Sequence, residues 1–497
     1  MKLHNVLFPQ PDGINEPLSS ELWDIRLADG VVESIAPARK VDHEALEDDG
    51  EISSHLLLPT LCHPHLHLDK AYLLTSGCCG AGDDADKDGH VDYSDLFPQT
   101  GSFAEALETT LVAKTRFTAA DLRRRGLQLL ATSYAQGVTA ARVFVEVDDQ
   151  AAGRGTVAVD VARELKTLFK GRLDVQVCAF AQEVLFTGDA GTANQAAMEA
   201  VLEANQKEDE TRTIAALGVT PYVEASRDQS LKNIDWAVTT ALKYDLHLDL
   251  HLDYNLKEYK GDGGAEDAAN EPLIFSLLEA LVKHNWKDHA KARTVVVGHA
   301  TQLTCLPPAQ LTRLAGIIQD NVLPVFFVGL PTSDLYMMGR QPTSTHIPRG
   351  TLPIPTLIRD YGLQACLGAN NVGNAFTPYG TGDPLQLACL GVGLYHAGTG
   401  SDAQLLYGAV SWRAREAIGM ARSEDVDWEK PVGCEELLGK KAGPLLAIAN
   451  PRYIRLPPAV GAALGTDSAL DNIPARPRLG FWNVVWDTPD VFLRKVV

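Results

Sequence analysis

Residues 63–70 read His63-Pro64-His65-Leu66-His67-Leu68-Asp69-Lys70, and the rest of the chain is best read outward from them. Alternate residues of a strand face one side, so His65 and His67 project together and Asp69 follows on the same face. A second run, Leu246-His247-Leu248-Asp249-Leu250-His251-Leu252-Asp253, puts every leucine on one face and every polar side chain on the other. A strand buried in a parallel barrel is ordinarily apolar on both faces. A polar inward face costs desolvation unless a metal ion or hydrogen bonds compensate, so two such strands point to one metal site built from imidazoles. The competing reading is a face that is simply solvated. A third histidine, His299, follows the β-branched run Thr294-Val295-Val296-Val297-Gly298. A lone histidine there is more often a structural hydrogen-bonder, but its place at a strand end with the other histidines draws it toward the site.

From about residue 60 to 425 short apolar strands alternate with amphipathic helices, the pattern of repeated βα units on a parallel sheet. Strands are predicted at 141–147, 173–180, 246–252, 294–298, 322–328 and 364–368, and helices at 119–135, 230–244, 271–284 and 403–418. Thr118 with Asp121 three residues on makes a capping-box-like start for the first of these helices. So many alternations predict an α/β fold, a TIM-like (β/α)8 barrel whose chemistry lies just after each apolar run. Upstream, Trp23 to Leu27 and Val31 to Ile35 flank Asp29-Gly30 and read as a β-hairpin. A small β-sandwich formed by the N- and C-terminal segments is expected, with residues 1–58 and 426–497 outside a barrel of residues 59–425. The run Phe481 to Trp486 reads as strand returning to that β layer.

The chain has 497 residues, with 64 acidic against 44 basic side chains and a formal charge of −20, which argues against nucleic acid or an anionic membrane surface as partner. Its 45% hydrophobic content is ordinary for a globular chain. No apolar run reaches the roughly 18 residues of a membrane span, and Pro9 and Pro11 follow the start in place of a signal-peptide core, so the expected compartment is the cytoplasm. Eight cysteines without a CxxC pair fit reduced thiols.

From about Asp24 to residue 418 the chain resembles the amidohydrolase superfamily, and within it the cytosine-deaminase-like branch. Pro64 to Asp69 is similar to the branch's first-strand motif, which implies His65 and His67 as metal ligands. Ala179-Phe180-Ala181-Gln182-Glu183 resembles a stretch whose glutamine binds substrate, which implies that role for Gln182. His251 matches the third ligand histidine, and His299 the histidine that hydrogen-bonds the attacking water. Pro331 to Arg340 resembles the loop after the seventh strand, and Tyr379 to Asp383 the helix start after the eighth. The resemblance implies one divalent metal ion, zinc or iron, a small-molecule substrate and a homo-oligomer.

Two positions depart from the pattern. Where the branch carries a proton-shuttling Glu this chain has Tyr254, and where it carries a metal-binding Asp that takes the proton of water it has Asn370. An amide coordinates weakly through oxygen and does not accept a proton at neutral pH. Tyr254 and Asn370 therefore join His299 as the candidate catalytic residues, with Tyr254 serving as an acid if a metal or cation lowers its pKa from about 10. Asp69, Asp253 and Glu146 lie near predicted strand ends and are read first as carboxylates bracing other groups. The function implied is an atypical metal-dependent hydrolase acting on a C–N bond of a small molecule, by deamination or by amide or cyclic amidine hydrolysis. The alternatives are a non-hydrolytic metal-assisted cyclase, lyase or isomerase, and a pseudoenzyme that binds without turnover. Separately, Asp84, Asp86, Asp88, Asp92 and Asp95 fit the spacing of a calcium loop, with Asp where Glu is usual at position twelve. The competing reading is an acidic insertion lying over the active site as a lid.

Overall fold

The first four strands are β1 (Lys2–Leu7), β2 (Trp23–Ala28), β3 (Val31–Pro37) and β4 (Ile52–Pro59). In this computed structural model, the residues described are 1–9, 22–28, 30–38, 52–75, 91–148, 156–207, 212–290, 292–340, 347–420, 426–430, 432, 434–454, 456 and 473–497. Strands β2 and β3 pair antiparallel as the predicted hairpin, with Asp29 of its turn outside the described residues.

One residue, Thr60, separates β4 from the first barrel strand, β5 (Leu61–His67). The barrel continues with β6 (Val138–Glu146), β7 (Asp174–Ala181), β8 (Ile214–Val219), β9 (His247–Leu252), β10 (Val295–His299), β11 (Val325–Gly329) and β12 (Gln364–Leu367). All eight are neighbours in chain order and parallel where they pair. The β-branched and aromatic side chains of β6 and β10 suit such strands, and both strands are buried throughout. The seam closes just beyond β12. Asn370 N–H donates to the His65 carbonyl (3.0 Å) and His67 N–H to the Asn370 carbonyl (2.8 Å).

Two C-terminal strands, β13 (Leu445–Pro451) and β14 (Arg494–Val496), complete a six-stranded sheet ordered β14-β13-β4-β1-β2-β3, the small sandwich domain built from both ends of the chain. Buried Arg494 fastens this end to the barrel through a bidentate pair with Asp383 (2.8 and 2.7 Å). Among the described residues no helix is long and apolar enough to cross a membrane.

Three expectations are revised. Phe481–Trp486 is a helix, not a strand. Phe481, Val484 and Val485 recur at helical spacing and are its buried face, with Phe481 packed on Tyr407 (4.9 Å between rings). The helix predicted at 403–418 is two, Gly400–Ala409 and Trp412–Ala417. Between them the Val410 carbonyl accepts Cys62 N–H of β5 (2.9 Å), and the Ser411 hydroxyl donates to the Thr60 carbonyl (2.6 Å). Strand β8, Ile-Ala-Ala-Leu-Gly-Val, was not among the predicted strands. A Cβ on Gly218 would stand 2.8 Å from the Phe180 ring, so glycine here makes room for a ring that packs beneath the site. The helix Ala119–Ala135 has the predicted bounds, with the Thr118 hydroxyl accepting Asp121 N–H (3.1 Å).

Candidate metal centre and active site

Strand β5 delivers His65 and His67 to the barrel interior, and β9 delivers His251 opposite them. The Nε2 atoms of His65 and His251 are 3.1 Å apart, and those of His67 and His251 are 3.2 Å apart. Ligand nitrogens about 2.0–2.1 Å from a tetrahedral zinc stand about 3.3 Å from one another, so the spacing fits a single ion. All three side chains are buried. Burial pushes the three imidazoles below their usual pKa, the state in which each offers a lone pair. Among the described residues, they are the one group of His, Cys, Asp or Glu placed to hold a metal ion. Phe144 lies against His65 (4.1 Å between rings) and Phe180 against His251 (4.5 Å), which fixes the ring positions by packing. Behind them Asp249 sits 3.6 Å from His65 Nδ1 and is paired with Arg142 (2.9 Å).

Asn370 reaches the centre from the barrel seam. Its backbone adopts φ 61°, unusual for a residue other than glycine, and His299 (64°) and Asp253 (49°) do the same at the ends of β10 and β9. Non-glycine residues held in this region cluster where function demands a particular side-chain direction. The Asn370 amide donates from Nδ2 to the Ser333 hydroxyl (2.8 Å), which leaves Oδ1 buried without a protein partner and the amide within reach of His67. Three imidazole nitrogens and this amide oxygen fit a divalent ion with an open position.

His299 donates from Nδ1 to Asp334 Oδ1 (2.7 Å), and Asp334 also accepts from the Thr351 hydroxyl (2.8 Å). This anchors the ring and leaves Nε2 for the cavity that His299 lines. Tyr254 stacks on His299 at 3.9 Å between rings. Burial raises its hydroxyl well above the ordinary phenol value, and Asp334 and Tyr222 push the same way, so Tyr254 is a protonated donor.

A small cavity of about 20 Å³ joins these groups. Gln182, just past β7, lines it with His67, His251, His299, Tyr254 and Asn370, so the residues singled out from sequence converge there, with His65 directly behind. Among the described residues no Asp or Glu lines it. The three carboxylates considered from sequence are buried and engaged elsewhere. Asp253 accepts the first amides of the helix Leu273–Lys283 (2.7 and 3.0 Å). Asp69 accepts Glu146 N–H (2.7 Å). Glu146 pairs with Lys70, and with Lys114 at 2.7 Å. Burial raises the Glu146 carboxyl, but Lys114 and Lys70 outweigh it and hold it at about 2.

Sequence reasoning passed over Lys70, Phe103, Tyr222, Ser333, Asn371 and Phe376, all of which line the cavity. Lys70 had an available signal, its place at the end of the His-Leu-Asp-Lys run. Ser333 lies within the Pro331–Arg340 segment and Asn371 beside Asn370, whereas Phe103, Tyr222 and Phe376 come from segments without a motif. Of the calcium-loop positions, Asp84, Asp86 and Asp88 lie outside the described residues. Asp95 is engaged by Arg116 through two 2.6 Å contacts.

The fold has counterparts among solved structures. A 5-methylcytosine deaminase from Klebsiella pneumoniae, liganded with phosphonocytosine, matches with TM-score 0.68 at 18% identity, over 100% of this chain and 95% of that one. The chain shares the fold of that deaminase. An N-isopropylammelide isopropylaminohydrolase from Burkholderia multivorans gives 0.61 at 17% identity, covering 99% and 96% of the two chains. An adenosine deaminase from Xanthomonas campestris with bound zinc gives 0.56 at 15% identity, covering 99% and 91%. No family model and no curated protein matches the sequence.

Proposed function

We propose that this chain is a divalent-metal enzyme that cleaves a C–N bond in a small cyclic or amide-containing molecule, by deamination or by amide or cyclic amidine hydrolysis. One observation carries the reading: the buried Nε2 atoms of His65 and His67 stand 3.1 and 3.2 Å from that of His251, beside a cavity at the C-terminal end of a barrel. Bound there, zinc or iron supplies an activated water and a Lewis acid. The surrounding residues then divide the remaining work. His299, anchored by Asp334, moves protons at Nε2 in the place of the carboxylates this cavity lacks. Tyr254 does not gain the lowered pKa that an acid role requires; its phenol stays protonated and donates a hydrogen bond toward the departing nitrogen. Gln182 and the buried Lys70 ammonium orient carbonyl oxygens of the substrate, and Lys70 stabilises negative charge as it develops. Asn370 directs its amide oxygen at the centre and takes no proton.

The lack of a carboxylate among the lining residues favours a second reading, in which the same centre assists a cyclisation, elimination or isomerisation. Ammonia release from a panel of amino- and oxo-heterocycles, followed in the zinc-loaded protein and in the Asn370→Asp/Tyr254→Glu double variant, separates the two. A hydrolytic enzyme releases ammonia or amine as isolated, and loses its native substrate when both residues change. Turnover that appears only in the double variant contradicts the hydrolytic proposal. Protein that takes up no stoichiometric zinc, iron or manganese contradicts both readings.

A further inference from the structure

The floor of the cavity is made by strands, but its roof is not. Helix α1 (Phe103–Lys114) follows the first barrel strand and brings Phe103 to the cavity that His67, His251 and His299 also line. The Phe103 ring meets Tyr254 at 5.7 Å and Phe376 at 5.8 Å, both edge to face. Leu107, Met337 and Met338 pack into the same apolar cluster. The roof is thus assembled from segments following four barrel strands, β5, β9, β11 and β12.

The start of α1 is held firmly. Ser102 caps it by accepting Glu105 N–H (3.2 Å), while the Glu105 carboxylate accepts the amides of Gln99, Thr100 and Gly101 at 2.6–2.9 Å. Arg340, beyond the seventh strand, donates to the Thr100 carbonyl (3.1 Å). Gly101 adopts φ +67°, and a Cβ there would stand 2.5 Å from the Tyr336 hydroxyl, so the segment abuts its neighbour at glycine distance. A half-buried phenylalanine on so constrained a support has little freedom to withdraw.

We propose that Phe103 is a specificity-determining residue: its ring is the far wall of the cavity, packs on an aromatic or apolar group of the ligand and limits that group's size. This rests on the reading of His65, His67 and His251 as a metal centre. A ligand gripped by the metal at one end projects its substituent toward the Phe103, Tyr254 and Phe376 rings. Aromatic walls of this kind favour a planar group, at edge or offset-stacked geometry, over a methyl group. A two-ring substituent meets Phe103 before a one-ring substituent does.

The test measures dissociation constants by calorimetry for acetohydroxamate, benzohydroxamate and 2-naphthohydroxamate, which chelate zinc and differ only in substituent. Zinc-loaded wild type, Phe103→Ala and Phe103→Leu are compared. Wild type is expected to disfavour the naphthyl compound relative to benzohydroxamate by about tenfold or more. Phe103→Ala should shift the naphthyl-to-phenyl ratio about tenfold toward naphthyl, with Phe103→Leu intermediate and sufficient by itself if the alanine variant does not fold. Ratios that stay within about twofold of wild type in a folded variant overturn the proposal. Failure of all three hydroxamates to bind any of the three proteins overturns the metal-centre reading instead, and this proposal with it.

Discussion

His251 and His247 lie on one strand, four residues apart, both buried among polar side chains, yet only His251 lines the cavity. His247 is engaged at Nδ1. Its Nδ1 accepts Thr294 N–H and stands 2.9 Å from the Thr294 hydroxyl, which in turn donates to the Ala417 carbonyl (2.7 Å). Below the metal layer Asp249 pairs with Arg142, which also reaches Gln176 and the Ile418 carbonyl. One layer up, the ring nitrogens of His65, His67 and His251 face each other, and their Nδ1 atoms lack hydrogen-bond partners. Buried polarity in a barrel strand therefore has two physical outcomes. Where each side chain is held by a partner from another segment it braces the frame, and where imidazole nitrogens converge on one another it makes a place for a cation.

The contrast is sharpest in what each layer loses on substitution. Arg142→Met strands the Asp249 carboxylate in the interior and should cost about 3–5 kcal/mol of unfolding free energy in urea titrations. The three histidines remain in that variant, so the folded fraction should still take up metal. His251→Ala should do the opposite. Zinc affinity falls by more than about 100-fold, as expected when one of four ligands sharing about 10–16 kcal/mol is removed, while the urea midpoint of the metal-free protein moves little. An apo midpoint that collapses in His251→Ala would erase the distinction between the layers. Asp249→Asn tests the junction between them. It keeps the shape but weakens the electrostatic support of His65, with zinc affinity expected to drop about 10- to 100-fold in competition with a chromophoric chelator.

The smallest effect lies to the side of both layers. Glu146 has a folded pKa of about 2 against an ordinary 4.5, so its ionisation stabilises the fold above about 4.5, and that contribution is lost as the pH falls toward 2. Lys114→Met removes one of the two cations responsible. It should lower stability at neutral pH by about 1–2 kcal/mol and move the acid-unfolding midpoint upward, read by circular dichroism between pH 7 and 2. A variant with an unchanged acid midpoint would mean that Lys70 alone holds Glu146.

Much of the site was legible because strands impose their own geometry. The spacing of His65, His67 and His251, and the strand-end position of His299, follow from the two-residue repeat and from where barrel strands stop. Gln182, Tyr254 and Asn370 were legible through motif resemblance. The roof and the charged wall were not, since Phe103, Phe376, Lys114 and Asp334 come from loops and helices whose local sequence carries no periodic signal. The strand reading of Phe481 to Trp486 failed for a related reason. Aromatic and β-branched composition favours a strand locally, but packing against Tyr407 and Trp412 selects a helix.

The acidity of the chain separates in the same way. Residues 42–51 and 83–95 contribute −11 of the −20, and among the described residues no acidic side chain lines the cavity. By itself the sequence determined the barrel, the histidine-bearing strand ends and the replacement of two carboxylates by Tyr254 and Asn370, because these depend on periodicity and residue type. Only the tertiary structure decided which buried polar groups keep a free lone pair, which ammonium meets Glu146 and what roofs the cavity. Those outcomes depend on partners brought together from distant segments, and local sequence does not encode the distances between them.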